Sequence, residues 1–264
     1  MSTSFDELLR GGSGIEDVSA LSDVGSQKSL LMIFIVDCSG SMEGDRIASV
    51  NEAFKTMIPT LQRIQVDVRS DFALNIAIMA FGSIAEWIVP PKPVMEYFHR
   101  NIKADRGGTD YGKMLRAQQE KLTRSQYIPS SGKVSKPYIM LLTDGRPYGS
   151  RYESELKELE RNLWYHHAER YAVLIGEKAI EDDKARAAVR AFVSNEAEGI
   201  IDAADAQVIA ESVHAKTIHT IKLMTHRGGN AGGEAEPDNT GEKKDFDWTF
   251  PTDFDALAKS GFVF

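Results

Sequence analysis

Leu30-Leu31-Met32-Ile33-Phe34-Ile35-Val36 runs without a polar break into Asp37-Cys38-Ser39-Gly40-Ser41. An apolar stretch this short, with no alternation, predicts a strand covered on both faces, as in a parallel sheet. A second such stretch, Tyr138 to Leu142, ends in the same manner, in Thr143-Asp144-Gly145. Further strands are expected at Phe72 to Phe81, Ala85 to Val89, Tyr171 to Ile175 and Gly199 to Ile201. Only Gly82-Ser83-Ile84 separates the first two of these, so they should form a hairpin, and one of them is then an antiparallel edge strand.

Helical periodicity fills the gaps. Ile47, Val50, Phe54, Met57, Ile58, Leu61 and Ile64 share one face at a 3.6-residue period. Other helices are expected from about Asp110 to Arg124, Glu153 to His167, Ala185 to Val193 and Ala206 to Met224, while Pro90-Pro91-Lys92-Pro93 reads as a loop. Alternating strands and helices predict an α/β fold: a doubly wound, mostly parallel sheet with one antiparallel edge strand and helices on both faces.

The chain has 264 residues, 42% of them apolar, which is enough for one substantial core. Composition divides it into a Ser/Gly/Asp-rich leader (1–29), the α/β domain (30–226), a Gly- and acid-rich linker (227–245) and an aromatic acidic segment (246–264). Net charge is −8, and residues 234–255 carry eight acids against two bases, so that segment holds most of it. No basic patch stands out, which argues against nucleic acid as a partner. The single cysteine, Cys38, excludes an internal disulfide. With no signal-like N-terminus and no apolar run of membrane length, a cytoplasmic protein without a membrane role is the expectation.

Three separated pieces point to a metal. Asp37, Ser39 and Ser41 leave the first strand, Thr109 follows Gly107-Gly108 ahead of a helix, and Asp144 leaves a later strand. In an open α/β sheet, ligands collect at the carboxyl ends of strands where the strand order reverses. Two carboxylates and three hydroxyls are oxygen donors, suited to Mg²⁺, Mn²⁺ or Ca²⁺ rather than Zn²⁺. Such a set leaves the ion with residual positive charge, which favours a carboxylate from outside. Plainer roles stand beside these: a turn with N-capping for Asp37, Ser39 and Ser41, a helix cap for Thr109, a turn before Gly145 for Asp144, and an N-terminal helix charge for Asp110. Cys38 reads as a small buried side chain, because no histidine is placed to activate it. His166-His167, His214 and His219 have poor spacing for a shared site and read as surface or core residues.

Asp-x-Ser-x-Ser, Gly-Gly-Thr-Asp and Thr-Asp-Gly, in that order, resemble the metal-ion-dependent adhesion site of von Willebrand factor A domains over roughly residues 30–224. The resemblance implies metal positions at Asp37, Ser39, Ser41, Thr109 and Asp144. It also implies hydroxyls bound directly, carboxylates acting largely through water, and a partner's Asp or Glu completing the shell. Glu43, Asp45, Arg46, Arg106, Arg146 and Tyr148 are expected to form the rim that contacts the partner. In its lack of a signal and its single cysteine, the chain is similar to the von Willebrand A proteins associated with bacterial tellurite resistance. That similarity implies a stress or defence setting with kinase or phosphatase partners.

The C-terminal segment, with Asp247, Trp248, Phe250 and Phe254, reads as a docking peptide that could enter the metal site of its own or a neighbouring copy and so support self-association. Two other functions compete with metal-dependent binding. One is Mg²⁺-dependent phosphoryl transfer, weakened by the absence of an Asp-x-Asp pair, a GxxxxGK[ST] loop and an evident general base. The other is a metal-independent scaffold or kinase substrate, modified at residues such as Ser2, Thr3, Ser4, Thr249 or Thr252.

Overall fold

The structure, a computed structural model, describes residues 27–148 and 152–226. Its centre is β1 (Lys28–Asp37), whose side chains alternate between two cores. Leu30, Met32, Phe34 and Val36 enter one core, and Leu31, Ile33 and Ile35 the other. A strand that buries both faces in this way has no polar side, which explains the unbroken apolar stretch.

β1 pairs in parallel with β2 (Phe72–Phe81) on one side and with β4 (Tyr138–Thr143) on the other. β3 (Ala85–Pro93) lies antiparallel outside β2, and β5 (Glu169–Ile175) and β6 (Ile200–Ala203) continue the parallel sheet beyond β4. The order is therefore β3-β2-β1-β4-β5-β6. The chain winds outward from β1 in both directions, so the order reverses between β1 and β4.

Helix α1 (Asp45–Asp67) covers the first core through Val50, Phe54, Met57, Ile58, Leu61 and Ile64, joined by α8 (Ala206–His226). The second face is covered by α2 (Tyr111–Lys121), α3 (Tyr152–Leu159), α4 (Leu163–His166) and α6 (Asp183–Phe192), with the short α5 (Glu177–Ile180) and α7 (Glu196–Gly199) beside β5 and β6. The expected sheet, with its antiparallel edge and helices on both faces, is the one observed.

Two local expectations are corrected. Pro90-Pro91-Lys92-Pro93 is the end of β3 rather than a loop, paired irregularly with β2 through Lys92 and Pro93. Proline lacks the N–H of a ladder bond, and an edge strand is where that loss is tolerated. The single helix expected from Glu153 to His167 is broken into α3 and α4. Asn162 intervenes: its side-chain oxygen accepts from the N–H groups of Trp164 and Tyr165, and its amide donates to the Leu122 carbonyl at 2.8 Å. The new N-cap turns Trp164 and Tyr165 into the second core, where both are buried. The aromatic acidic segment and most of the leader lie outside the described residues, as do Asp247, Trp248, Phe250 and Phe254. Among the described residues no helix is long and apolar enough to cross a membrane.

Candidate metal centre

The loop after β1 is stitched to its neighbours by backbone bonds. Cys38 N–H donates to the Phe81 carbonyl at 2.7 Å, Gly40 N–H to that of Gly107 at 2.9 Å, and Arg106 N–H to that of Cys38 at 2.9 Å. Asp110 N–H in turn donates to the Gly82 carbonyl at 2.9 Å. A β-carbon on Gly82 would lie 2.6 Å from the Arg106 carbonyl oxygen, so only glycine lets the loop after β2 and the segment before Thr109 approach. The loop carrying Thr109 is thereby fixed against the ends of both β1 and β2.

On this frame four of the five expected donors are buried. Asp37, Ser39, Thr109 and Asp144 are each less than a tenth exposed, while Ser41 faces solvent. Ser39, Ser41 and Asp144 form a chain of contacts. Ser39 Oγ and Ser41 Oγ are 3.1 Å apart, and Ser41 Oγ donates to Asp144 Oδ1 at 2.8 Å. The Thr109 hydroxyl lies against the β4 loop, 3.3 Å from where a β-carbon on Gly145 would stand. Asp110 keeps its plainer role: its carboxylate accepts from Lys113 N–H and caps α2.

Asp37 is held differently. Its Oδ1 accepts from Ser39 N–H at 2.9 Å and its Oδ2 from the Thr143 hydroxyl at 2.7 Å. Tyr111 Oη donates to that same Thr143 oxygen at 3.3 Å, so a buried tyrosine and threonine orient the carboxylate from behind. Burial pushes the Asp37 carboxyl up to about 6, against the opposing pull of its hydrogen bonds to Thr143 and Ser39. Among the described residues no cation pairs with Asp37, so it is a buried acid short of positive charge. Thr143 and Tyr111 were not singled out in the sequence. Their signal is position: Thr143 precedes Asp144 on a strand and so points to the opposite face, and Tyr111 opens the helix that Asp110 caps.

The expected rim residues fall into two groups. Glu43 and Tyr148 are exposed beside the donors, and Tyr148 N–H donates to the Thr109 carbonyl at 2.8 Å. Arg146 reaches across the surface to Asp182, at 2.6 Å. Arg106 instead pairs with Glu86 at 2.9 Å, its side chain mostly covered. Arg46 turns inward. Its guanidinium pairs with Asp144 Oδ2 and donates to the Ser41 carbonyl at 2.9 Å. Gly176, at φ +87°, makes room for it, since a β-carbon there would stand 3.0 Å from the guanidinium.

A unit positive charge beside a dication is repulsive, by roughly twice the ~4 kcal/mol of two unit charges about 4 Å apart at an effective dielectric of about 20, less whatever the guanidinium recovers by swinging toward solvent. Arg46→Ala is therefore expected to tighten Mg²⁺ or Mn²⁺ binding by about tenfold, as read by isothermal titration. Unchanged or weaker binding would mean that Arg46 supports the donors rather than competing with the ion.

The donor chemistry fits a hard divalent cation. Ser39, Ser41 and Thr109 supply hydroxyls, and Asp37 and Asp144 supply negative charge beside them. Among the described residues no cluster of three or more His, Cys, Asp or Glu side chains is placed to hold an ion, so hydroxyl donors are what distinguish this centre. Cys38, buried between two donors, has its thiol pushed up to about 12, with burial as the leading cause.

Residues 32–146 match the family model of the von Willebrand factor type A domain. The fold is similar to that of the pilus adhesin SpaC from Lactobacillus rhamnosus GG, at 16% identity and a TM-score of 0.56, over 76% of this chain and 32% of that one. This chain thus spans about a third of the adhesin's length. BatB, a conserved hypothetical protein from Bacteroides thetaiotaomicron, is similar at 12% identity and a TM-score of 0.51, over 73% of this chain and 99% of that one. Proximal thread matrix protein 1 from the mussel byssus, in a structure with a zinc-occupied MIDAS motif, is similar at 17% identity and a TM-score of 0.50, over 82% and 53%. At these identities the likeness is one of fold. No curated protein matches the chain in sequence.

Proposed function

We propose that the von Willebrand factor type A domain carried by this chain is a cation-dependent protein-binding module, in which a bound Mg²⁺, Mn²⁺ or Ca²⁺ coordinates an Asp or Glu of a partner. The observation that carries this reading is that Ser41 stands within hydrogen-bond reach of both Ser39 and Asp144, at the point where the strand order reverses. Ser39, Ser41 and Thr109 would hold the ion, and Asp37 and Asp144 would balance part of its charge. A dication with so few anionic donors stays electrophilic toward an incoming carboxylate. The zinc-occupied motif of the mussel protein supports divalent binding on this fold, and oxygen donors favour a harder ion here.

Binding is favoured over catalysis. A thiol pushed to about 12 is not a nucleophile at neutral pH, and the Asp37 carboxylate is tied up by Ser39 and Thr143 rather than aimed at a substrate. The ion pair of Arg146 with Asp182, together with Lys178 and Tyr148, lines a recess of about 340 Å³ beside Asp144, where side chains flanking a partner's carboxylate would lie. A cytoplasmic stress or defence role with kinase or phosphatase partners is the setting this proposal adopts from the family resemblance.

The test is affinity capture by the full chain from extracts of its source cells, with Mg²⁺ and with excess chelator. Partners are expected to be lost on chelation and also with Asp144→Ala. Partners retained equally under both conditions would favour the metal-independent scaffold.

A further inference from the structure

β3 and the segment 97–106 enclose a cleft of about 740 Å³, which ends at Arg106, next to the loop that carries Thr109. Its floor and walls include Ile88, Val89, Pro90, Tyr97 and Phe98, and Phe98 is 79% exposed. Four cations, Lys92, Arg100, Lys103 and Arg106, line it against two acids, Glu96 and Asp105. Of the four, only Arg106 makes an ion pair among the described residues. The far wall is rigid: Asn51 of α1 accepts from Ile102 N–H at 2.7 Å, donates to the Ile102 carbonyl at 2.9 Å and meets His99 Nε2 at 2.9 Å.

A cleft that is apolar within and basic around its rim fits a peptide of aromatic residues interleaved with acids. It does not fit strand addition, because Pro90, Pro91 and Pro93 remove the N–H groups that a new strand would need at this edge. The recognition must come from side chains.

We infer that the cleft between β3 and residues 97–106 is the receptor for this chain's own C-terminal segment, residues 245–264, bound in cis. That segment places Trp248, Phe250 and Phe254 among Asp247, Asp253 and Asp255. It lies outside the described residues. Charge is complementary: four acids and one lysine in the segment meet a cleft with a cationic excess. Reach is sufficient. α8 runs back along the sheet past Tyr138, whose hydroxyl meets Thr217 at 2.9 Å, and ends at His226. The eighteen residues 227–244 span up to about 60 Å when extended, at roughly 3.3 Å each. The obstacle between is α1, whose 23 residues make it about 35 Å long.

The experiment uses the full chain with Phe98 replaced by the photo-crosslinking residue p-benzoylphenylalanine, irradiated at low micromolar concentration and mapped by mass spectrometry. Cross-links within one chain to residues 245–264 are expected, with a yield independent of protein concentration. Adding Arg100→Glu and Lys103→Glu, both at exposed positions, is expected to lower that yield at least threefold. Cross-links to a second copy, to a co-purified protein or to the metal loops would overturn the assignment. So would the absence of any cross-link to 245–264, or a yield indifferent to charge reversal. The outcome is independent of whether the metal centre binds an ion.

Discussion

Titrated with Mn²⁺, the Ser39→Ala/Ser41→Ala double variant is expected to bind at least about 100-fold more weakly than the unaltered chain, given that even residues that merely orient metal ligands are worth 10–100-fold. Two of the three proposed hydroxyl donors are then gone, and water would have to complete the shell around the ion without being fixed by the protein. The fold should persist. The bond that shapes the β1 loop is made by the Ser39 backbone, whose N–H donates to Asp37, and alanine keeps it. The lost hydroxyl contacts are those from Ser39 to Ser41 and from Ser41 to Asp144, the second at a solvent-exposed residue. Thermal unfolding of the variant without ion should therefore match that of the parent within a few degrees. An undiminished affinity for Mn²⁺ would remove these serines from the centre.

Asp37→Asn is expected to act in opposite directions with and without the ion. Burial raises the Asp37 carboxyl from 3.8 to about 6 in the folded chain, so the fold prefers it protonated. Well below 3.8 both folded and unfolded chains hold the proton and there is no penalty. As pH rises through the window between 3.8 and about 6, the unfolded chain releases its proton first, and the ion-free domain loses stability. Above that window the loss is complete, at about 1–3 kcal/mol. Asparagine keeps the shape and the acceptor for Ser39 N–H without the buried charge. The ion-free variant should thus be more stable than the parent at pH 7 by about that amount and lack the fall in stability across pH 4–6. The parent should recover its deficit when a divalent ion is added, and the variant should not. Urea unfolding at pH 5 and pH 7, with and without Mg²⁺, reads all of these. A variant less stable than the parent in chelator would contradict the picture of Asp37 as an acid short of a cation.

The parts of the fold legible in the sequence were those with one dominant cause. β1 and β4 are buried on both faces, and burial on both faces leaves an unbroken apolar stretch, as it also does at Ile76 to Phe81 of β2. The face of α1 was legible because a single helix packs one side on one core. Pro90 to Pro93 misled because the meaning of proline depends on whether a strand is at an edge, which is a property of the whole sheet. The break before Trp164 was hidden because Asn162 serves as an N-cap only where the Leu122 carbonyl is there to fix its amide.

The same distinction runs through the site. Asp37, Ser39, Ser41, Thr109 and Asp144 stand next to strand ends and glycines, so local spacing marks them. Thr143 and Tyr111 act through contacts between β4 and α2, which are far apart in sequence. Arg46 looked like a rim residue because it follows the β1 loop by a few positions. Its inward turn depends on the space left by Gly176, more than a hundred positions away.

The most direct test is anomalous diffraction from crystals of the full chain grown with Mn²⁺. The account predicts one strong manganese peak at coordination distance from the hydroxyls of Ser39, Ser41 and Thr109, flanked by Asp37 and Asp144. Crystals that show no peak there, or manganese held elsewhere while those side chains keep only their contacts with one another, would contradict it.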